Sequence, residues 1–317
     1  MSKKVCVLGL GYIGLPTALL LAEAGHNVFG VDTNEFIVES LKNGKITINE
    51  PGLDILLQEA YDQEKLSIIN DPSFSDIFII CVPTPMKNEF GRKEADLTYV
   101  YKAVENIIPF LKDNNILIIE STIPVGTMDK INDIIFSANI KNVKLAYCPE
   151  RVLPGNIITE LKSNNRIIGT INQNHGNDIK NFMSSFVTGS VTITNFKTAE
   201  MSKLTENAFR DLNIAFANEI SMICENQNID VWELINLVNK HPRVNVLQPG
   251  CGVGGHCIAI DPWFLISQFE EKTPLIKQAR VSNLKKTDWV LNQILYYINK
   301  FEDDKGKNPV VGILGLT

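Results

Sequence analysis

A thiol set among glycines is the most chemically pointed feature of this sequence. Pro249-Gly250-Cys251-Gly252-Val253-Gly254-Gly255-His256-Cys257 holds four glycines within six positions, so little bulk stands between Cys257 and an approaching ligand. Such a loop presents a nucleophile. Asp261-Pro262 follows and reads as a helix N-cap and first helical residue, which puts Cys257 just ahead of a helix N-terminus, where partial positive charge favours thiolate. Cys251 reads instead as a small buried hydrophobe. Upstream, Lys203, Asn207 and Arg210 fall within about 60° of one another on a helix at 100° per residue, opposite Met201, Ala208, Leu212 and Ala215. Phe209, Ile214, Phe216 and Ile220 make the rest of that helix apolar, so it is expected to be largely buried, its polar stripe lining a site. Thr84, Thr122 and Glu150 each follow an apolar run. His241 and Arg243 lie in the loop ahead of the glycines, where Arg suits bidentate phosphate binding and a neighbouring His adds a donor.

The elements that must position these groups alternate regularly. Lys4 to Leu10 reads as a buried strand, and Gly9-Leu10-Gly11-Tyr12-Ile13-Gly14 follows at its end. Leu15 to Ala24 is helical, Val28 to Val31 is a second strand, and Asp32 closes it 18 residues beyond Gly14. In that setting Gly9, Gly11 and Gly14 give the tight turn and close approach that a pyrophosphate needs, with its charge at the helix N-terminus. Asp32 would accept the adenosine ribose hydroxyls and repel a 2′-phosphate, so NAD is expected rather than NADP. Ile77 to Val82 and Ile116 to Glu120 are continuous apolar runs suited to strands buried on both faces, and Lys144 to Tyr147 is a third strand. Ligands of doubly wound sheets lie beyond the carboxyl ends of strands, which places Thr84, Thr122 and Glu150 at one binding edge. After Ile167 to Thr170 and Val191 to Thr194 the alternation stops. A long helix is expected from about Lys197 to Asn226, then helices at Val231 to Asn239, Pro262 to Glu270 and Lys277 to Phe301.

Composition excludes several classes. The 317 residues are 44% hydrophobic and 21% charged, enough for two domains and ordinary for a globular chain. Lys plus Arg number 30 against 36 Asp plus Glu, a net charge of −6 with no basic run, so neither nucleic acid nor a membrane is an expected partner. The six cysteines are scattered and fit neither a zinc ribbon nor a disulfide framework, so no metal is expected and the expected compartment is reducing cytoplasm.

Taken in order, Gly9 to Gly14, Val82-Pro83-Thr84-Pro85, Ser121-Thr122-Ile123-Pro124, Cys148-Pro149-Glu150-Arg151-Val152, Lys203-Leu204-Thr205-Glu206-Asn207 and Gly254 to Pro262 resemble the UDP-glucose/GDP-mannose dehydrogenase family. Asn239 to Asn245 and Gly255 to Ala259, with Trp263-Phe264, resemble the branch acting on UDP-N-acetylhexosamines, UDP-N-acetyl-D-mannosamine foremost, with N-acetylglucosamine and glucose as alternatives. The resemblance implies an α/β fold: a Rossmann-like doubly wound NAD domain over 1–195, then an all-helical central domain over 196–305 that forms a homodimer through its long helix. It also implies oxidation of a sugar C6 alcohol to a carboxylate with two NAD, through a thiohemiacetal and a thioester on Cys257. By resemblance Lys203 stabilises oxyanions, Asn207 donates beside it, Asp261 supports both, and Glu150 activates water with Thr122. Gly9, Gly11, Tyr12, Ile13, Gly14, Asp32, Thr84 and Thr122 would hold NAD. Arg151, Val152, Lys203, Asn207, Arg210, His241, Arg243 and Gly254 would contact the UDP-sugar, and His256 is given a structural or substrate-contact role. Asn308 to Thr317 reads as the first strand of a further UDP-binding domain that stops short. Two rivals remain: a β-hydroxyacid-type dehydrogenase, which shares the dinucleotide domain and needs no cysteine, and an inactive NAD-binding dimerisation fragment.

Overall fold

Apolar runs of four or five residues separated by helical stretches build the first of two compact units. A computed structural model describes residues 2–89 and 92–314, and the units are Met1–Thr205 and Glu206–Thr317. In the first, β1 (Lys4–Leu8), β2 (Asn27–Val31), β3 (Leu66–Ile69), β4 (Ile77–Ile80), β7 (Ile116–Ile119), β8 (Lys144–Tyr147), β9 (Arg166–Thr170) and β10 (Val191–Thr194) form one sheet, ordered β10-β9-β8-β7-β4-β1-β2-β3. A separate hairpin joins β5 (Met86–Glu89) to β6 (Arg92–Ala95). Every pairing in the large sheet is parallel except β8 with β9, which run antiparallel with Ala146 opposite Thr170 and Tyr147 opposite Gly169.

Side chains alternate across a strand, so each apolar run serves two cores. Val5, Val7, Ile77 and Ile79 join the core containing Leu15, Leu19 and Leu20 of α1 (Gly14–Glu23) and Leu53 and Leu57 of α3 (Leu53–Asp62). Cys6, Leu8, Phe78 and Ile80 join the other, with Val100 and Val104 of α4 (Thr98–Ile107) and Met128 and Ile131 of α5 (Thr127–Ser137). Each such fully buried side chain is worth roughly 1.5–3 kcal/mol over exposure. The chain winds one way from β1 through β2 to β3, returns to β4 beside β1, and winds the other way to β7 and β8. That reversal leaves a crevice beyond the carboxyl ends of β1 and β4, where ligands of such sheets bind. Shorter elements escape the sequence periodicity: α2 (Glu35–Lys42) is legible, but α6 (Ile157–Ser163) and α7 (Gln173–Met183) are not. Seven residues give too few turns to show a period, and α7 is mostly polar.

The long helix is α8 (Phe196–Gln227). Its first turns belong to the first unit, ten residues beyond the 195/196 boundary read from the sequence, because Phe196 and Ala199 enter a sheet core and Glu200 caps α5 through the Gly126 and Met128 amides at 2.7 and 2.8 Å. The rest of α8, with α9 (Val231–Val238), α10 (Asp261–Gln268) and α11 (Pro274–Lys305), makes up the helical second unit. Its packing corrects the expectation of an apolar buried helix. Phe209 and Phe216 are exposed, and Ile214 and Ile220 are only half-buried. Asp211 and Asn218 are fully buried instead, in a polar seam with Arg280 and Asn283 of α11. The strand expected near the end is not formed: α11 runs to Lys305, and residues 306–314 carry no strand, since no described residue pairs with them. Gly315 to Thr317 lie outside the described residues.

Candidate active site

In the first unit the glycine turn is shaped by what surrounds it. Gly9 has φ +88°, and a Cβ there would stand 2.6 Å from the Cys81 carbonyl oxygen; one on Gly14 would meet the Gly9 oxygen. These two glycines are needed for the turn itself. Gly11 differs, because nothing lies within 4 Å of a Cβ there, so its missing side chain leaves open space above the start of α1. Ile13, the N-cap of α1, supplies no side-chain acceptor, and the helix begins with amides suited to an anion. Asp32 directly follows β2 and accepts the Leu10 amide at 2.7 Å and the Asn34 amide at 2.8 Å, so it fixes the turn and keeps acceptor capacity for ribose hydroxyls. Tyr12 is exposed and Ile13 half-buried beside it. Open space at Gly11, an uncapped helix start and a carboxylate on the second strand together fit a dinucleotide.

Along the same sheet edge, Thr84 follows β4, Thr122 follows β7 and Glu150 follows β8, and both threonines are half-buried. Ser121 holds Thr122 in place by donating to the Val82 carbonyl at 2.7 Å. Glu150 is 5% exposed, and its carboxylate is pinned at both oxygens: Oε1 takes Arg166 Nη1 at 2.8 Å and Oε2 takes the Arg151 amide at 2.7 Å. Lys203, also buried, donates from Nζ to the Glu150 carbonyl at 2.5 Å. Burial pushes the Glu150 carboxyl up to about 7 against the pull of the Arg166 guanidinium, with the nearby Glu120 adding to the rise. Arg151 and Val152 are half-buried in the segment that follows.

Sequence reasoning missed two members of this cluster. Arg166, 2% exposed, opens β9, and because β9 runs antiparallel to β8 its start lies beside the end of β8, at the binding edge. A charge at the first position of an apolar run, Arg166-Ile167-Ile168, was the available signal. Glu120 accepts at Oε2 from Thr17 Oγ1 and Cys81 Sγ, each at 3.3 Å, while Oε1 has no hydrogen-bond partner. Burial raises its carboxyl and Arg166 opposes that rise.

The second unit holds the thiol. Cys257 is exposed, and its carbonyl accepts the Ile260 amide at 3.1 Å and the Asp261 amide at 2.8 Å, closing a turn that leads into α10. The thiol thus precedes a helix N-terminus, but Asp261 is not the N-cap: it is the first residue of α10, and Ile260 precedes it without a capping bond. The carboxylate is turned to other work. Asp261 is buried and accepts Asn207 Nδ2 at 2.5 Å, which orients that amide. Cys251 is exposed rather than a buried hydrophobe, because the glycines around it offer no core to enter. Arg210, His241, Arg243 and Gly254 are all exposed. Asn239 clips the 239–246 loop shut through the Val246 amide at 2.7 Å and carbonyl at 2.9 Å. Among the described residues no group of three His, Cys, Asp or Glu could hold a metal ion, and no helix is long and apolar enough to cross a membrane.

Comparison with known proteins gives a consistent result. Residues 3–187 match the model of the UDP-glucose/GDP-mannose dehydrogenase family NAD binding domain, and residues 197–285 match that family's central domain. A UDP-N-acetyl-D-mannosamine dehydrogenase of Methanococcus maripaludis is 49% identical over 316 residues, covering 99% of this chain and 72% of that protein. One from Campylobacter jejuni is 48% identical, covering 99% and 78%. The solved structure of a UDP-D-ManNAc dehydrogenase from Pyrococcus horikoshii superposes with TM-score 0.88 at 38% identity, covering 94% of this chain and 72% of that one.

Proposed function

This chain belongs to the UDP-glucose/GDP-mannose dehydrogenase family and is an NAD-dependent UDP-sugar dehydrogenase, and from that premise we propose that it oxidises UDP-N-acetyl-D-mannosamine at C6 to the uronate, through a thioester on Cys257. The substrate is carried by the relatives that match nearly the whole chain at 48–49% identity. The thioester rests on one observation, the exposed Cys257 on a glycine loop that turns directly into α10.

Gly9 to Gly14, with Asp32 on the ribose and Thr84 and Thr122 at the adjoining strand ends, would hold NAD, and two successive NAD molecules would each accept one hydride. The first oxidation takes a hydride from C6 while the hydroxyl proton passes to solvent water, and it leaves an aldehyde at C6. The Cys257 thiolate adds to its carbonyl carbon, forming a C–S bond while the oxygen takes the negative charge. Lys203 spends one N–H on the Glu150 carbonyl and keeps two, and Asn207 spends one on Asp261 and keeps one, so both have donors for that oxyanion. Loss of hydride from this tetrahedral carbon leaves the thioester. Glu150, with its proton affinity near neutrality, takes a proton from water as the water oxygen attacks the thioester carbon, aided by Thr122. The C–S bond then breaks and Cys257 departs as thiolate. Arg151, Val152, Arg210, His241, Arg243 and Gly254 are assigned to the nucleotide sugar.

Phe209, Phe216 and Ile223, exposed at seven-residue intervals on α8, support a homodimer through that helix. The six free thiols suit a reducing cytoplasm. Counting NADH formed per UDP-N-acetyl-D-mannosamine consumed tests the reaction: two are expected, and one would overturn the four-electron reading in favour of a simple alcohol dehydrogenase. Cys257→Ser is expected to bind NAD normally and make no uronate.

A further inference from the structure

The glycine stretch that presents Cys257 cannot hold itself. Gly250, Gly252, Gly254 and Gly255 have no side chains to pack, and nothing lies within 4 Å of a Cβ built on Gly254 or Gly255. Left to its own entropy such a segment samples many conformations. Its far end is fixed by the turn at Cys257 into α10. Its near end is fixed by a buried relay between α8 and α11.

That relay starts from a charge pair. Arg280 Nη1 donates to Asp211 Oδ1 at 2.5 Å, with both side chains buried. Asn283 Nδ2 donates to the same Asp211 oxygen at 2.8 Å and to the Asp211 carbonyl at 3.1 Å. An amide that points its nitrogen at Asp211 must point its oxygen away, and Asn283 Oδ1 accordingly accepts Asn218 Nδ2 at 2.9 Å. By the same constraint Asn218 Oδ1 faces the loop, where it accepts the Gly250 amide at 2.9 Å. Each orientation is dictated by the one before. One turn beyond Asn283, Thr287 Oγ1 donates to the Cys251 carbonyl at 3.0 Å, and a Cβ on Gly252 would stand 2.3 Å from that hydroxyl, so the loop lies directly on α11.

We infer that Asn218, oriented by Arg280, Asp211 and Asn283 and assisted by Thr287, is a positioning residue that fixes the loop carrying Cys257 so that its thiol meets the sugar C6. Asn218 touches no reacting atom. It acts on the reaction through the Gly250 amide, and the inference rests on the reading of Cys257 as the nucleophile. The energetic logic is that of pre-organisation: fixing the loop before substrate arrives removes an ordering cost from the reacting complex, and a misplacement of about 1 Å at a nucleophile can cost roughly a hundredfold in rate.

Two variants test this in the full 317-residue chain, Thr287→Val and Asn218→Leu, assayed with NAD and UDP-N-acetyl-D-mannosamine. Thr287 is exposed, so its variant keeps the fold and loses only the bond to Cys251. Its kcat is expected to fall severalfold with KM within twofold, and that of Asn218→Leu by about ten- to a hundredfold. Alkylation of Cys257 by iodoacetamide at pH 7, read by peptide mass spectrometry, is expected to slow about threefold or more as the thiol leaves the helix N-terminus. A merely structural role would lower the melting temperature and leave kcat per folded molecule and the alkylation rate alone, and that result overturns the inference. If Asn218→Leu fails to fold, Thr287→Val decides by itself. Cys257→Ser runs alongside: uronate formation by it removes the reading underneath, whereas an inactive Cys257→Ser with both other variants at parental kcat removes only this inference.

Discussion

Replacing Arg166 by Met removes the cation hydrogen-bonded to Glu150 Oε1 and leaves the hydrocarbon volume roughly filled. Both partners are nearly inaccessible, at 2% and 5% exposure, and the bond is 2.8 Å. Breaking one side of so buried a pair costs about 3–5 kcal/mol, which for a unit of some two hundred residues lowers its melting temperature by about 10 °C. The effect must depend on pH. In the parent, Glu150 is raised from 4.5 to about 7, so the stability it contributes is complete below 4.5 and is lost as pH rises through 7. Without Arg166, which pulls it down, its carboxyl rises further and stays protonated in the folded variant above pH 7, while it is ionised in the unfolded chain. Between pH 7 and the variant's new value, the stability gap between parent and variant therefore widens by about 1.4 kcal/mol per pH unit. Urea denaturation followed by far-UV circular dichroism at pH 6, 7 and 8 measures this directly. Adding Glu150→Gln to the Met variant should recover a kcal/mol or more, since a carboxamide needs no cation, so the two changes are strongly non-additive. At pH 7.5 the single variant should also stall before thioester hydrolysis, giving a burst of NADH and little turnover. A gap that is flat with pH, or strict additivity with Glu150→Gln, would refute the reasoning.

Other perturbations follow from the same geometry. Gly11→Val has open space for its side chain, so thermal melting should be near parental while the calorimetric Kd for NAD rises a hundredfold or more, the branched side chain standing where the pyrophosphate must approach. Gly9→Ala should do the reverse first, with a melting point several degrees lower, because its φ of +88° and the Cys81 oxygen at 2.6 Å both resist a Cβ. Lys203→Ala is expected to lower kcat by about 3–4 kcal/mol, a few hundredfold or more, with a small change in KM in steady-state assays. A change confined to KM would make Lys203 a binding residue only.

Much of this protein was legible from its sequence because the signals are local. The glycine turn, its following helix and Asp32 lie within about two dozen consecutive residues, and the apolar runs that became β1, β4, β7 and β8 declare a sheet buried on both faces by composition alone. Strand ends in a parallel sheet share one edge, so chain order alone places Thr84, Thr122 and Glu150 there. The exposed loop position of Cys257 is legible because the glycines beside it leave little bulk around it. What the chain order could not reveal depends on how distant segments pair. Nothing in Arg166-Ile167-Ile168 announces that β9 turns antiparallel, yet that single reversal carries the guanidinium to the edge where Glu150 ends β8. The buried face of α8 is likewise not legible in the sequence, since hydrophobic content favours hiding Phe209 and Phe216, whereas within this chain Asp211 and Asn218 are hidden instead. A polar side chain can be buried only when its partners arrive with it, and the partners of Asp211 and Asn218 sit 65 to 69 residues away on α11 and, for Asn218, 32 residues away in the loop before α10, a pairing that exists only once the chain has folded.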